Sequence, residues 1–142
     1  LIYDFVISAL HVLVKFWLFA NMMENKGAST VDELFLFSSK DLKSDKWEPH
    51  PQNPIISDVR YSRPAGKVFF YNNELYRPSQ NSAKFYGHAM NINKIVTLNE
   101  QVYEEEVVSS IFPNWEKNVK AIHTLNFDKN LTVIDAMIKR RK

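Results

Sequence analysis

Chemistry in this chain has to come from carboxylates, guanidinium groups and imidazoles, because it contains no cysteine. Thiol nucleophiles, thiolate metal sites and disulfides are thereby excluded. The four histidines, His11, His50, His88 and His123, show none of the close spacings that recruit zinc, so no metal site is expected. There is no glycine-rich phosphate loop and no nucleophile elbow, and no cofactor is expected. The acids to weigh are Asp58, Glu74, the run Glu104-Glu105-Glu106, and Asp135. Glycoside hydrolysis requires two carboxyl groups flanking the scissile bond. Along a strand, alternation sends Glu104 and Glu106 to one face and Glu105 to the other, so one side of such a strand could project an acid inward. Acidic triplets are more commonly solvated. No catalytic residue is therefore assigned, and the chain alone is not expected to hydrolyse sugars.

Charge and composition narrow the partners. The formal net charge of 142 residues is +2, too little for strong electrostatic capture of nucleic acid. Apolar residues make up 45% and charged residues 24%, which is enough to build a core. The length suits one small domain or part of a larger one. The chain begins with Leu1 rather than Met, which suggests a start within a longer protein. Residues Leu1 to Ala20 are almost wholly apolar, but Asp4, His11 and Lys15 argue against a membrane span, since a charge at its centre is costly. An acid ahead of the apolar stretch also argues against a signal peptide.

The elements that must position any site read as strands. Ten Phe, six Tyr and three Trp against only three Gly lean toward β structure with long loops. Leu1 to Ala20 suggests two adjacent strands, although no Gly, Pro or Asn marks a turn between them. A polar loop from Asn21 to Thr30 should reverse the chain before a buried strand at Glu33 to Ser39. Pro49, Pro51 and Pro54 forbid helix and central strand across Lys40 to Pro54, an excursion pinned by Trp47. The clearest hairpin joins Lys67 to Tyr71 with Glu74 to Arg77 through Asn72-Asn73, since Asn tolerates positive φ. Further strands are expected at Phe85 to Ile95, Val102 to Ile111, Lys120 to Phe127 and Leu131 to Ile138, the last after a turn at Asp128-Lys129-Asn130. No amphipathic helix of ten residues or more is evident, so the class is all-β.

An ordered series of short motifs then suggests a family. It runs through Ser38-Ser39 to Trp47, His50-Pro51-Gln52-Asn53-Pro54, Ser57-Asp58-Val59-Arg60, Arg63-Pro64-Ala65-Gly66, Leu75-Tyr76-Arg77-Pro78-Ser79-Gln80, Tyr86-Gly87 and His123-Thr124-Leu125-Asn126. The series resembles the five-bladed β-propeller module in the amino-terminal part of glucosamine inositolphosphorylceramide transferases and related bacterial proteins. It resembles more distantly the five-bladed propellers of furanosidase-like glycoside hydrolases. The resemblance covers about Phe16 to Asp135 and is strongest from Trp47 to Gly87. It implies a partial five-bladed propeller of about three blades, a single module over residues 1–142 forming the carboxy-terminal half of a longer domain. No glycosyltransferase domain lies within these residues.

Among the matching residues, Asp58, Arg60, Arg63, Arg77, Gln80, Tyr86 and His123 supply the carboxylate, guanidinium, amide and aromatic groups with which a sugar's hydroxyls and ring faces are held. Each has a structural alternative. Asp58 could pair with Arg60 or Arg63, and Arg77 could be held by backbone carbonyls between blades. Gly66 and Gly87 are expected to serve backbone geometry. Trp47 reads as a packing anchor and His50 as a solvated loop residue. The terminal run Lys139-Arg140-Arg141-Lys142 could touch acidic lipid or nucleic acid, but reads more simply as a solvated end.

The expected function is therefore carbohydrate binding or glycan processing within glycan or glycolipid assembly, with a carbohydrate or glycolipid ligand and no nucleic acid. The alternatives are a furanosidase-like hydrolase and a noncatalytic scaffold whose unpaired edges recruit another chain or a second copy.

Overall fold

A computed structural model describes residues 7–12, 14–23, 26, 29–128 and 130–140. Strands and no helices occur among the described residues, so none offers a helix long and apolar enough to cross a membrane. Leu1 to Val6, part of the expected first strand, lies outside them, as does much of the polar loop at 24–28.

The first sheet joins β1 (Ile7–Val12), β2 (Lys15–Ala20), β3 (Glu33–Ser39) and β4 (Glu48–Pro49) in that order, with β5 (Ile56–Ser57) pairing the start of β3. Val12 opposite Lys15 closes the β1–β2 turn, and Val14 lies there at φ 62°. The turn thus forms without the Gly or Asn such geometry favours, at the cost of a β-branched residue in the left-handed region. Pro49 sits on β4 at the end of the strand order, where its missing N–H leaves no ladder bond unmade.

The second sheet is a four-stranded antiparallel meander of β6 (Phe69–Tyr71), β7 (Glu74–Asn81), β8 (Ala89–Leu98) and β9 (Tyr103–Ile111). Its first turn is the expected one: Tyr71 faces Glu74, and Asn72 and Asn73 have φ of 49° and 62°. The strand expected from Phe85 starts later. Gly87 at φ 80° and a bond from the His88 N–H to the Phe85 carbonyl (3.1 Å) turn the chain there first. On β9, Tyr103 and Glu105 face inward while Glu104 and Glu106 are exposed, the alternation read from the sequence.

The two strands expected after Lys120 are each divided. Val119–Ala121 (β10) pairs Met137–Ile138 (β13), whereas Leu125–Asp128 (β11) pairs Leu131–Ile134 (β12). The physical reason is Asp135, whose Oδ1 accepts the backbone N–H groups of His123 (2.8 Å) and Thr124 (2.7 Å) and so takes them out of the ladder.

The main core lies between the first two sheets, where Leu10, Trp17, Phe19, Leu34 and Leu36 meet Val68, Leu75, Ile95 and Tyr103. A smaller cluster of Ala65, Met90, Ile122 and Leu125 attaches the last segment. Gly66, at φ 152°, is what permits that attachment, because a Cβ there would stand 1.9 Å from the Leu125 carbonyl oxygen. The architecture is all-β with several antiparallel sheets, none of which closes on itself.

Because Val14 is 81% exposed and in the left-handed region, replacing it costs no packing. Val14→Asn is expected to raise the urea midpoint by the equivalent of about 1 kcal/mol. A lowered midpoint would show that the turn relies on the Val side chain.

Candidate functional site

Segment 58–66 carries Asp58, Arg60 and Arg63, three of the candidate site residues, and its path is set by the two Arg-Pro motifs lying side by side. The Gln80 N–H donates to the Arg63 carbonyl (2.8 Å) and the Ala65 N–H to the Pro78 carbonyl (3.0 Å), with Pro64 bridged to Ser79. Both prolines fit because β6 ends before this stretch, leaving that side of β7 free to accept an irregular neighbour. Asn91 Nδ2 donates to the Arg60 carbonyl (2.8 Å) and holds the same segment from β8.

Arg77 projects from β7 into the interior and is 0% exposed. Its Nε and Nη2 donate to the two carboxylate oxygens of Glu105 at 2.8 and 2.6 Å, a bidentate pair. Nη2 also donates to the Tyr61 carbonyl (2.8 Å), and the Tyr103 hydroxyl donates to Glu105. Burial alone lowers the pKa of Arg77, yet the charge of Glu105 more than offsets it and keeps the guanidinium protonated. Desolvation raises the Tyr103 hydroxyl well above its usual value. The backbone-carbonyl role that the sequence allowed for Arg77 is thus filled by Tyr61, and Glu105 is the partner that sequence reading did not pair with it. Tyr61, Tyr103, Glu104 and Glu105 line one side of a neighbouring cavity of about 470 Å³.

Arg63, Tyr86 and His123 come together elsewhere, with Gln80 bonded to Arg63 through the backbone. The Arg63 guanidinium lies 5.3 Å from the Tyr86 ring centroid, and the Tyr86 and His123 rings are 4.6 Å apart and tilted by 31°. His123 Nδ1 is 2.9 Å from Asp135 Oδ2. An ionised carboxylate only accepts, so Nδ1 carries the proton and a neutral ring leaves Nε2 as an acceptor. Asp135 completes this column and was weighed in the sequence only as a candidate acid. Burial pushes its pKa upward, but the N–H groups of Thr124 and His123 and the His123 ring outweigh burial and hold it below the usual carboxylate value. A Cβ at Gly87 would be 2.8 Å from the His123 ring, so the glycine allows the ring to lie flat against the loop. Arg63 Nε, Gln80 Oε1 and His123 Nε2 are buried and have no hydrogen-bond partner among the described residues.

The remaining residues are placed apart from that column. Asp58 and Arg60 close on each other, with Arg60 Nη2 2.5 Å from Asp58 Oδ2. The side chain of Arg60 thereby holds the Asp58 carboxyl below its usual value despite some burial. Trp47 is half-buried, and its Nε1 donates to the Ser44 carbonyl (3.1 Å). His50 departs from its reading as a solvated residue, because it is buried and ties its loop to the β8–β9 turn. The Gln52 N–H donates to His50 Nδ1 (3.2 Å), which makes Nε2 the donor to the Asn99 carbonyl (3.1 Å). Asp58, Glu74, Glu105 and Asp135, four of the acids weighed for hydrolysis, are each paired with a basic side chain. No group of three potential metal ligands occurs among the described residues.

Removing one member of the buried pair strands the other. Arg77→Leu or Glu105→Leu alone is expected to cost about 3–5 kcal/mol of stability, and the double replacement less than the sum, measured by urea unfolding. Additive losses would show that the two charges act independently. Asp135 gives a pH signature. With its folded pKa depressed, its contribution is complete above the ordinary carboxylate value and is lost as pH falls through the lower folded value. Protection of the Thr124 amide from hydrogen exchange should therefore disappear only in that acidic window, and Asp135→Asn should weaken it at all pH values.

The sequence model described as glucosamine inositolphosphorylceramide transferase 1, N-terminal, matches residues 2–134. Over 93 residues the chain is 32% identical to glucosamine inositolphosphorylceramide transferase 1 of Arabidopsis thaliana, covering 63% of this chain and 12% of that protein. It is 32% identical over 95 residues to the protein of the same name from Oryza sativa subsp. japonica, covering 66% of this chain and 13% of the other. The chain thus spans about an eighth of the length of these relatives. No solved structure matches. Spanning nearly the whole chain, the match shows that this protein belongs to the family of the amino-terminal part of glucosamine inositolphosphorylceramide transferase 1.

Proposed function

We propose that the chain is a carbohydrate-recognition module, the carboxy-terminal half of a five-bladed propeller, serving a protein of glycolipid assembly. The four-stranded meander β6–β9 has the form of a propeller blade, and the sheet β1–β4 has the same hairpin-connected order. The strands after Val119 supply part of a third blade. The relatives' name, glucosamine inositolphosphorylceramide transferase, pairs a sugar with an inositol-containing ceramide, which supports a role in holding a sugar.

The observation that carries the reading is the column Arg63–Tyr86–His123–Asp135. It combines a guanidinium, a half-exposed phenol and an oriented imidazole within one contact chain. Arg63 is part-exposed and brings guanidinium donors, and the Tyr86 hydroxyl both donates and accepts, so a ligand with adjacent hydroxyls finds both kinds of partner there, while Arg63 Nε, Gln80 Oε1 and His123 Nε2 are buried. Tyr86, 52% exposed, supplies the apolar ring contact that sugar C–H faces seek. Asp58 and Arg60 add a solvent-facing charged pair on the same segment as Arg63. Arg77 supports the segment from beneath through the Tyr61 carbonyl.

Binding without turnover is the expected behaviour. On a glycan array the 142-residue chain should retain a limited set of sugars. Arg63→Ala and Tyr86→Ala should each weaken that binding roughly tenfold. Affinity unchanged in both variants would return the column to a purely structural role.

A further inference from the structure

Two loops next to this column expose aromatic residues that the sugar reading does not use. Phe85 is 52% exposed on the loop between β7 and β8, and Phe112 (44%) and Trp115 (54%) are exposed on the loop between β9 and β10. The loops are neighbours through His88, whose ring lies 5.3 Å from that of Phe85 and 5.8 Å from that of Phe112. Phenylalanine has no polar handle for a sugar hydroxyl, and three such large apolar groups on adjacent loops are costly to leave in water.

Basic residues flank them in the sequence. Lys84 is exposed beside Phe85, and Lys117 and Lys120 follow Trp115, with Glu116 the acid of that stretch. The Lys139 N–H donates to the Asn118 carbonyl (2.9 Å), which brings the exposed Lys139-Arg140 end of the chain to the Trp115 loop. Lys139 and Arg140, which the sequence reads as part of a solvated basic run, are therefore held near the Trp115 loop. Aromatic side chains that enter the headgroup region, ringed by lysine and arginine, match the interface of a bilayer carrying anionic lipid.

We propose that the loops 82–88 and 112–118, with Lys139 and Arg140, form a docking surface for an anionic lipid membrane. Phe85, Phe112 and Trp115 enter the headgroup boundary while the basic groups meet lipid phosphates. The orientation presents the adjoining Arg63–Tyr86–His123 column toward the same membrane surface.

The test is sedimentation of the 142-residue chain with phosphatidylcholine vesicles, plain or doped with phosphatidylinositol. Binding is expected with the doped vesicles and is weakened by salt. Lys139→Glu with Arg140→Glu should reduce it upwards of roughly twentyfold, at about fivefold per basic residue. Phe112→Ser with Trp115→Ser should reduce it as well, whereas Tyr71→Ser, an exposed aromatic on the β6–β7 hairpin, should not. Brominated acyl chains should quench tryptophan fluorescence in the wild type but not in Trp115→Phe, whose fold is expected to be unaltered. Equal binding to plain and doped vesicles, wild-type binding by the charge-reversed variant, or quenching that survives Trp115→Phe would overturn the proposal. Loss of sugar binding in the Arg63 variant with vesicle binding intact would leave it standing, so the two readings fail separately.

Discussion

The rest of the structure depends on a charge with no access to water. Arg77 is enclosed, and its charge is met by two hydrogen bonds to Glu105, itself held by the Tyr103 hydroxyl, and by one to the Tyr61 carbonyl, while Nη1 has no partner among the described residues. The pair joins β7 to β9 across β8, and its third partner is the backbone of the loop that enters the second sheet. A buried ion pair is not a strong source of stability, since desolvation consumes much of the attraction. What it imposes is geometry: the loop carbonyl at Tyr61 must lie within reach of Nη2, or the charge is left under-solvated.

That constraint propagates to the surface. With Tyr61 fixed, segment 63–65 can run alongside residues 78–80, and the two Arg-Pro motifs exchange backbone hydrogen bonds in place of a regular ladder. Arg63 is thereby delivered to the face of Tyr86. Gly66 and Gly87 then allow two close approaches that any side chain would block, one by the β11 backbone and one by the His123 ring. Asp135 closes the arrangement by taking two backbone amides and the imidazole onto one carboxylate. A core charge and a surface column are in this way parts of one chain of contacts.

Four of the acids that the sequence offers for glycosidic chemistry are held in ion pairs. Glycosidic chemistry needs one carboxyl free to give a proton and another to act as nucleophile or base. Asp58, Glu74, Glu105 and Asp135 are instead compensated by Arg60, Lys94, Arg77 and His123. For Asp58, Glu74 and Asp135 the pairing holds the carboxyl below its usual value, the opposite of the raised pKa that a general acid requires. These residues correspond to about an eighth of the relatives' length.

The sequence by itself determined the features that depend on near neighbours. Apolar alternation, prolines and the Asn72-Asn73 turn specify an all-β chain and its clearest hairpin, because strand period and turn conformation are set within a few residues. The motif series was also sufficient to identify the family. Tertiary structure alone decided which side chains meet. Arg77 and Glu105 are 28 positions apart, His50 and Asn99 are 49 apart, and His123 reaches Asp135 across 12. No local pattern encodes those distances, for they follow from which strands become neighbours and which way each pleat faces. The same reason explains the division of the last two strands: the Asp135 side chain outcompetes the ladder for two amides, a contest settled only once the chain has folded back on itself.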